Sequence, residues 1–241
     1  MYKNLGIGAL ALVLAACGVF QARHAGPKSP GAAPELQAQA PDQGSPGTIY
    51  RVDETQSELR ILVYRAGPLA RLGHNHVMVN RRLRGTVNLA DAAGASSFWL
   101  SVPSAAFDVD DAQARAEEGA DFAAAVPDDA RFGTLQNMLS AAVLDAAEYP
   151  AITVRSVAVA SAGATEATRT MVASVTIGVA GHESTIDVPF ALQMESGRLS
   201  ATGTLELRQS ALGVTPYSLM LGALQVQDQM TIKFKIVARA T

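Results

Sequence analysis

The chain has 241 residues with 19 Lys and Arg against 22 Asp and Glu, a formal net charge of −3 with neutral histidines. Nucleic-acid binding by phosphate neutralisation needs an extended basic surface, and this mild, mixed balance argues against it. A single cysteine excludes a disulfide framework.

At the N-terminus Lys3 precedes an uncharged apolar run, Leu5 to Ala16, that ends in Leu14-Ala15-Ala16-Cys17. A bilayer span needs about 17–25 apolar residues, so so short a run suits the core of an export signal. Residues 1–16 are therefore expected to be a signal peptide. The last four residues of the run resemble the bacterial lipobox, which implies that Cys17 is acylated and becomes the new N-terminus. Acyl chains contribute about 0.8 kcal/mol per buried methylene, enough for an anchor without a spanning helix. Gly18 carries no acidic sorting signal, which points to the outer membrane facing the periplasm. Up to Gly47 the chain is rich in Pro, Gly, Ala, Gln and Ser, a composition that cannot bury enough surface to order itself. Residues 17–47 read as anchor and linker, and 48–241 as one folded domain.

The first strands are expected at Glu58–Ala66, Val77–Arg82, Arg84–Leu89 and Phe98–Pro103. Between Asp108 and Glu148 the pattern changes. Leu135, Met138, Leu139, Ala142 and Val143 form one stripe of a helix that Asp128 or Asp129 can cap and that Tyr149-Pro150 ends. The simplest placement for this stripe is the outside of the sheet, with closure of a mouth as the alternative. Strands resume at Ile152–Ala160 and Thr170–Ala180. Then Ile186, Val188, Phe190, Leu192 and Met194 share one face; Leu199, Ala201, Gly203, Leu205 and Leu207 share another; and Met230, Ile232, Phe234 and Ile236 a third. Ala92-Ala93-Gly94, Ala162-Gly163, Ala180-Gly181 and Ser196-Gly197 supply turns. Eight or nine short-linked strands favour an up-and-down antiparallel barrel.

Four segments carry a family resemblance. They are Ile49-Tyr50-Arg51-Val52-Asp53 with Ser57-Glu58-Leu59; Arg71-Leu72-Gly73-His74-Asn75-His76; Asn137-Met138-Leu139-Ser140 with Leu144 to Pro150; and Leu221 to Asp228. In that order they resemble the YceI-like family over 48–241. The departure is Gly181-His182-Glu183-Ser184-Thr185, where many relatives carry a Gly-x-Thr turn. The resemblance implies an all-β fold, a lipocalin-like eight-stranded antiparallel β-barrel with an inserted α-helical segment. It also implies a periplasmic or cell-surface location and a long apolar tunnel holding a polyisoprenoid or similar amphiphile, with some members linked to capture of lipophilic antibiotics.

An eight-stranded barrel is either filled by its own side chains or wide enough for one small ligand. Small inward residues, Ala201, Gly203, Ala158 and Ala173 or Ser174, favour a cavity. The expected lining is Leu59, Ile61, Val63, Ile186, Val188, Phe190, Leu192, Leu205, Met230, Ile232 and Phe234. Arg71 with Arg81, Arg82 and Arg84 could meet an anionic head group, although such a run is more often a solvated turn. His74 and His76, two apart on a strand, point to one face at the mouth. Hydrogen-bonded mouth histidines are the plain reading of the pair and ligand contact the next. A metal- or redox-linked module would need a third ligand such as His182 or Asp228. Neither a His-Glu-x-x-His helix nor a Gly-x-Ser-x-Gly elbow is present, so a hydrolase lacks its usual signals. The expected function is sequestration or carriage of a long hydrophobic ligand without catalysis, metal or cofactor; a non-binding structural surface lipoprotein is the other alternative. Expected partners are an isoprenoid-like lipid and the membrane, with a homodimer left open.

Overall fold

The computed structural model describes residues 47–165 and 168–241. The signal peptide, Cys17 and the linker up to Pro46 lie outside the described residues. No described helix is long and apolar enough to cross a membrane.

The strands are β1 (Thr48–Val52), β2 (Glu58–Ala66), β3 (His76–Asn80), β4 (Arg84–Leu89), β5 (Ser97–Pro103) and β6 (Phe107–Val109) before the insertion. After it come β7 (Ala151–Ala164), β8 (Arg169–Val179), β9 (His182–Glu195), β10 (Arg198–Arg208), β11 (Ser218–Leu219) and β12 (Leu224–Ala240). All pairings are antiparallel, and β1, β4, β5, β7, β8, β9, β10 and β12 form a ring that closes where Tyr50 meets Ala240. The fold is a closed eight-stranded antiparallel β-barrel of the lipocalin-like kind.

Three staves are broken in two. Strands β2, β3 and β6 continue β1, β4 and β5 towards the other end, where β2 pairs with β12. Each break has a local cause. Ser57 Oγ, buried between β1 and β2, donates to Val237 O at 3.2 Å and accepts from Val237 N at 3.0 Å. The Asn80 side chain ends β3 by donating to Pro103 O and accepting from Arg82 N. The corner that follows turns Leu83 into the interior, where it is almost wholly buried.

The termini of the barrel and the β7–β8 and β9–β10 hairpins share one end. The opposite end carries the β2–β3 loop, the insertion, the β8–β9 turn and residues 209–223. The two-residue turn Ala180-Gly181 joins β8 to β9 with Ala180 at φ 48° and Gly181 at φ 77°. Both left-handed values belong to the hairpin turn whose twist matches the strands.

Two expected features move. Ala162-Gly163 lies inside β7 at a register irregularity, and the hairpin turn comes after Ala164. Ala158, expected inside, faces out. The ladder with β8 slips between Ser156 and Ala158, so Val157 bulges to 65% exposure and parity inverts, placing Val159 inside.

The insertion straddles the wall. Helix α1 (Ala112–Glu117) and the turn to Phe122 cover the outer face of β2 and β3, burying Leu62, Val77 and Val79 against Ala114 and Phe122. Glu118 anchors it with ion pairs to Arg60 and Lys233. Helix α2 (Asp128–Leu139) then returns to the inner side. Strand β6 pairs with β3 but not with β7, whose ladder with β5 begins only at Ala151 opposite Pro103. Helix α2 takes the vacant place beside β6, tied by Arg131 Nε to Val109 O at 3.0 Å. Its Met138 and the following Val143 and Leu144 pack on the main core and line the interior. The stripe thus closes the barrel rather than lying outside it, because the wall is incomplete there. The helix also stops earlier than its stripe: Ser140 is extended and its hydroxyl donates to Asn137 O, so Ala142 and Val143 follow in a turn.

Candidate functional site: the lumen and its polar mouth

The barrel encloses a cavity of about 530 Å³, within the span typical of small-molecule sites. Alternation along the strands determines which side chains reach it. Leu59, Ile61 and Val63 of β2 line it, as do Ile186, Val188, Phe190 and Leu192 of β9, Leu205 of β10, and Met230, Ile232 and Phe234 of β12. Many of these, Ile186, Val188 and Leu205 among them, face inward yet stay only half-buried, since no side chain opposite fills the space. Small residues contribute unequally. Ala173 and Ala201 leave room, whereas the place beside Gly203 is taken by the Phe234 ring, whose Cζ would sit 2.5 Å from a Cβ there.

The lining is apolar along most of its length and polar towards both ends: Asp91, Ser96, Ser97 and Arg169 reach it near the β7–β8 hairpin, and a larger polar set reaches it at the end that carries the insertion. There Arg65, His74, His76, Thr134, Asn137 and Gln209 reach the cavity. The histidine rings meet edge to face with centroids 6.0 Å apart. His76 Nδ1 lies 2.6 Å from Asp110 Oδ2. A carboxylate can only accept, so Nδ1 carries the proton, and Nε2 shares a hydrogen bond with the Thr134 hydroxyl at 3.2 Å.

Asp110 sits at φ 60° with its side chain fully buried. Its Oδ1 accepts from Val77 N at 3.0 Å and from Arg115 Nη1 at 2.5 Å. Arg115 is satisfied on its other side by the carbonyls of Asn75, Phe122 and Ala124. Burial alone would raise the Asp110 pKa, but the bonds from His76, Val77 and Arg115 outweigh it and hold the carboxyl below its ordinary range. His74 is pushed below its ordinary value by burial first, then by the charges of His76 and Arg65.

The expected arginine cluster does not converge. Arg81 pairs with Glu58 at 2.7 Å and Arg84 with Glu54 at 3.1 Å on the outer surface, Arg82 is exposed, and Arg71 stands outside the cavity lining. Arg81, Arg82 and Arg84 lie at a corner turned away from the lumen, and the arginines that reach the cavity are Arg65 at this mouth and Arg169 at the opposite end. The proposed third metal ligands are engaged elsewhere: the His182 ring packs on Gly213, and Asp228 accepts from Ser210 N and Oγ. Among the described residues no three His, Cys, Asp or Glu side chains gather as a metal site. Sequence reasoning missed Asp110, Arg115 and Thr134. A signal existed for part of this, since Val77-Met78-Val79 is an uninterrupted apolar run and so marks a strand covered on both faces.

The model of the YceI-like domain matches residues 50–238. The crystal structure of Burkholderia cenocepacia BcnA aligns with a TM-score of 0.54 at 18% identity, covering 77% of this chain and 98% of that one. A polyisoprenoid binding domain from Saccharophagus degradans, implicated in plant cell wall breakdown, aligns at 0.53 and 14% identity, covering 80% and 98%. Among curated proteins none matches the sequence significantly. Likeness at such identities speaks for the fold, and the family match over most of the chain for descent: the chain belongs to the YceI-like domain family.

Proposed function

We propose that this chain is a membrane-tethered periplasmic binding protein that holds a long hydrophobic amphiphile in its barrel. The observation that carries the reading is the 530 Å³ cavity, apolar along the strands and polar where it meets its ends, with the hydrogen-bonded set of His76, Asp110 and Thr134 at one of them. Such a lining suits a guest with a long greasy chain and a polar end. The polyisoprenoid binding domain that shares the fold supports an isoprenoid-like guest. About ten methylenes leaving water would contribute roughly 8 kcal/mol before ordering costs, so micromolar binding needs no further chemistry. His74 and the Thr134–His76 pair offer hydrogen bonds to the polar end. The reading is binding without turnover. The lipobox-like residues before Cys17 support acylation there, and Gly18 supports the outer membrane as the place of anchoring.

Native mass spectrometry of the protein purified from its own cells tests this. A copurifying lipid of defined mass, replaceable by a prenyl probe, is expected; a barrel that carries nothing and takes up no prenyl probe would overturn the reading.

A further inference from the structure

At the end that carries the insertion the cavity reaches two loops that run against each other, residues 67–73 and 213–223. Leu69 N donates to Ala223 O at 2.8 Å, and Gly67, at φ 89°, packs so closely that a Cβ would lie 2.6 Å from the carbonyls of Gly222 and Ala223. Together the loops form one rim. The tip of the rim points apolar side chains outward. Met220 is 75% exposed and Leu221 fully so, with Leu72 and Leu219 also exposed. Met220 and Leu221 hold successive left-handed backbones, φ 51° and 56°, which cost energy for residues with a Cβ. The backbone therefore accepts strain in the conformation that turns these two side chains to solvent.

We propose that this rim docks the barrel on an anionic phospholipid bilayer, with the lumen mouth against the lipid. The only charged residue of the two loops is Arg71, which is exposed. An apolar tip beside a lone cation is complementary to an anionic interface, where aliphatic side chains enter the acyl boundary and a guanidinium stays with the head groups. The patch is continuous with the lumen, because Leu219, Tyr217 and Leu224 line both rim and cavity entrance. A guest could therefore pass from bilayer to barrel without crossing water. The chain enters the barrel at the opposite end. The roughly 30 residues between Cys17 and Gly47 reach at most about 100 Å, whereas the longest strand, β12, measures about 58 Å. An anchored molecule can thus bring the rim to the membrane that holds it.

This inference rests on the carrier reading only for its purpose; docking is measured with no guest. The full chain carrying Cys17→Ser and Leu221→Cys is labelled at its single thiol with a polarity-sensitive fluorophore and mixed with phosphatidylglycerol–phosphatidylethanolamine vesicles. A blue shift is expected, with quenching by lipids brominated on their acyl chains. The same label placed by Val157→Cys on the barrel wall should not respond. Met220→Asp combined with Leu72→Asp should weaken the shift at least tenfold in vesicle concentration. Equal responses at 157 and 221, or none at 221, would overturn the proposal. So would a vesicle-independent shift that tracks dimer formation in sedimentation, which would assign the rim to a second copy of the chain.

Discussion

His76 Nδ1 and Asp110 Oδ2 stand 2.6 Å apart across 34 residues of chain, and this contact joins the lumen mouth to the insertion beside it. Asp110 also carries the charge that balances buried Arg115. Removing one partner of a buried pair costs about 3–5 kcal/mol, because the other is left uncompensated. Asp110→Asn keeps a residue that tolerates a left-handed backbone and removes the charge. Urea unfolding should show a loss in that range, together with faster proteolysis between residues 112 and 139. A loss below about 1 kcal/mol would show that the insertion is held by its apolar contacts alone. The lowered Asp110 pKa contributes stability that is present above its ordinary value of 3.8 and fades as the pH falls through the depressed one.

His74 gives a second pH dependence at milder acidity. Its folded pKa lies below 6.5, so below that pH the unfolded chain binds more protons than the folded one and stability must fall as the pH drops. The denaturant midpoint should be lower at pH 5.5 than at pH 7.5, and His74→Gln should shrink the difference. If the variant keeps the whole difference, another group is responsible.

Much of this architecture was legible because strands announce themselves locally. The parities of β9, β10 and β12 follow from alternation alone, and every aliphatic residue named from them for the lumen does line it. Ala158 was misplaced since a one-residue bulge inverts parity without any signal in composition. The polar mouth was only half legible. His74 and His76 stand out as a pair, but their partners Asp110 and Thr134 arrive from the insertion, whose path over and then into the barrel depends on contacts distant in sequence. The arginines misled for the converse reason: proximity in sequence said nothing of the corner at 81–83 that turns them outward.

The hollow lumen makes a prediction that a packed barrel would not. Val188 faces the cavity half-buried, so Val188→Trp should fit with little strain while occupying guest space. Binding of a fluorescent prenyl probe should weaken at least tenfold with the urea midpoint nearly unchanged. Ala158→Trp, on the outer face, should leave binding as it was and show the red-shifted emission of a solvent-exposed indole. Reduced binding from position 158 would contradict the inverted parity of β7.

The β8–β9 turn separates backbone strain from packing. Gly181 combines φ 77° with a close neighbour, since a Cβ there would come 2.7 Å from the Tyr149 ring. A left-handed backbone costs a residue with a Cβ about 1–2 kcal/mol, and displacing the ring adds to it, so Gly181→Ala should lose more than that range in urea unfolding. At Ala180 the strain is already present at φ 48°, and Ala180→Asn should recover about 0.5–1 kcal/mol, because asparagine is the preferred first residue of this turn. Tyr149→Ala provides the control. In a double-mutant cycle with Gly181→Ala it should remove the steric part and leave the backbone part. Strict additivity of the two substitutions would mean that the ring moves aside freely, and that the demand for glycine at 181 comes from φ alone.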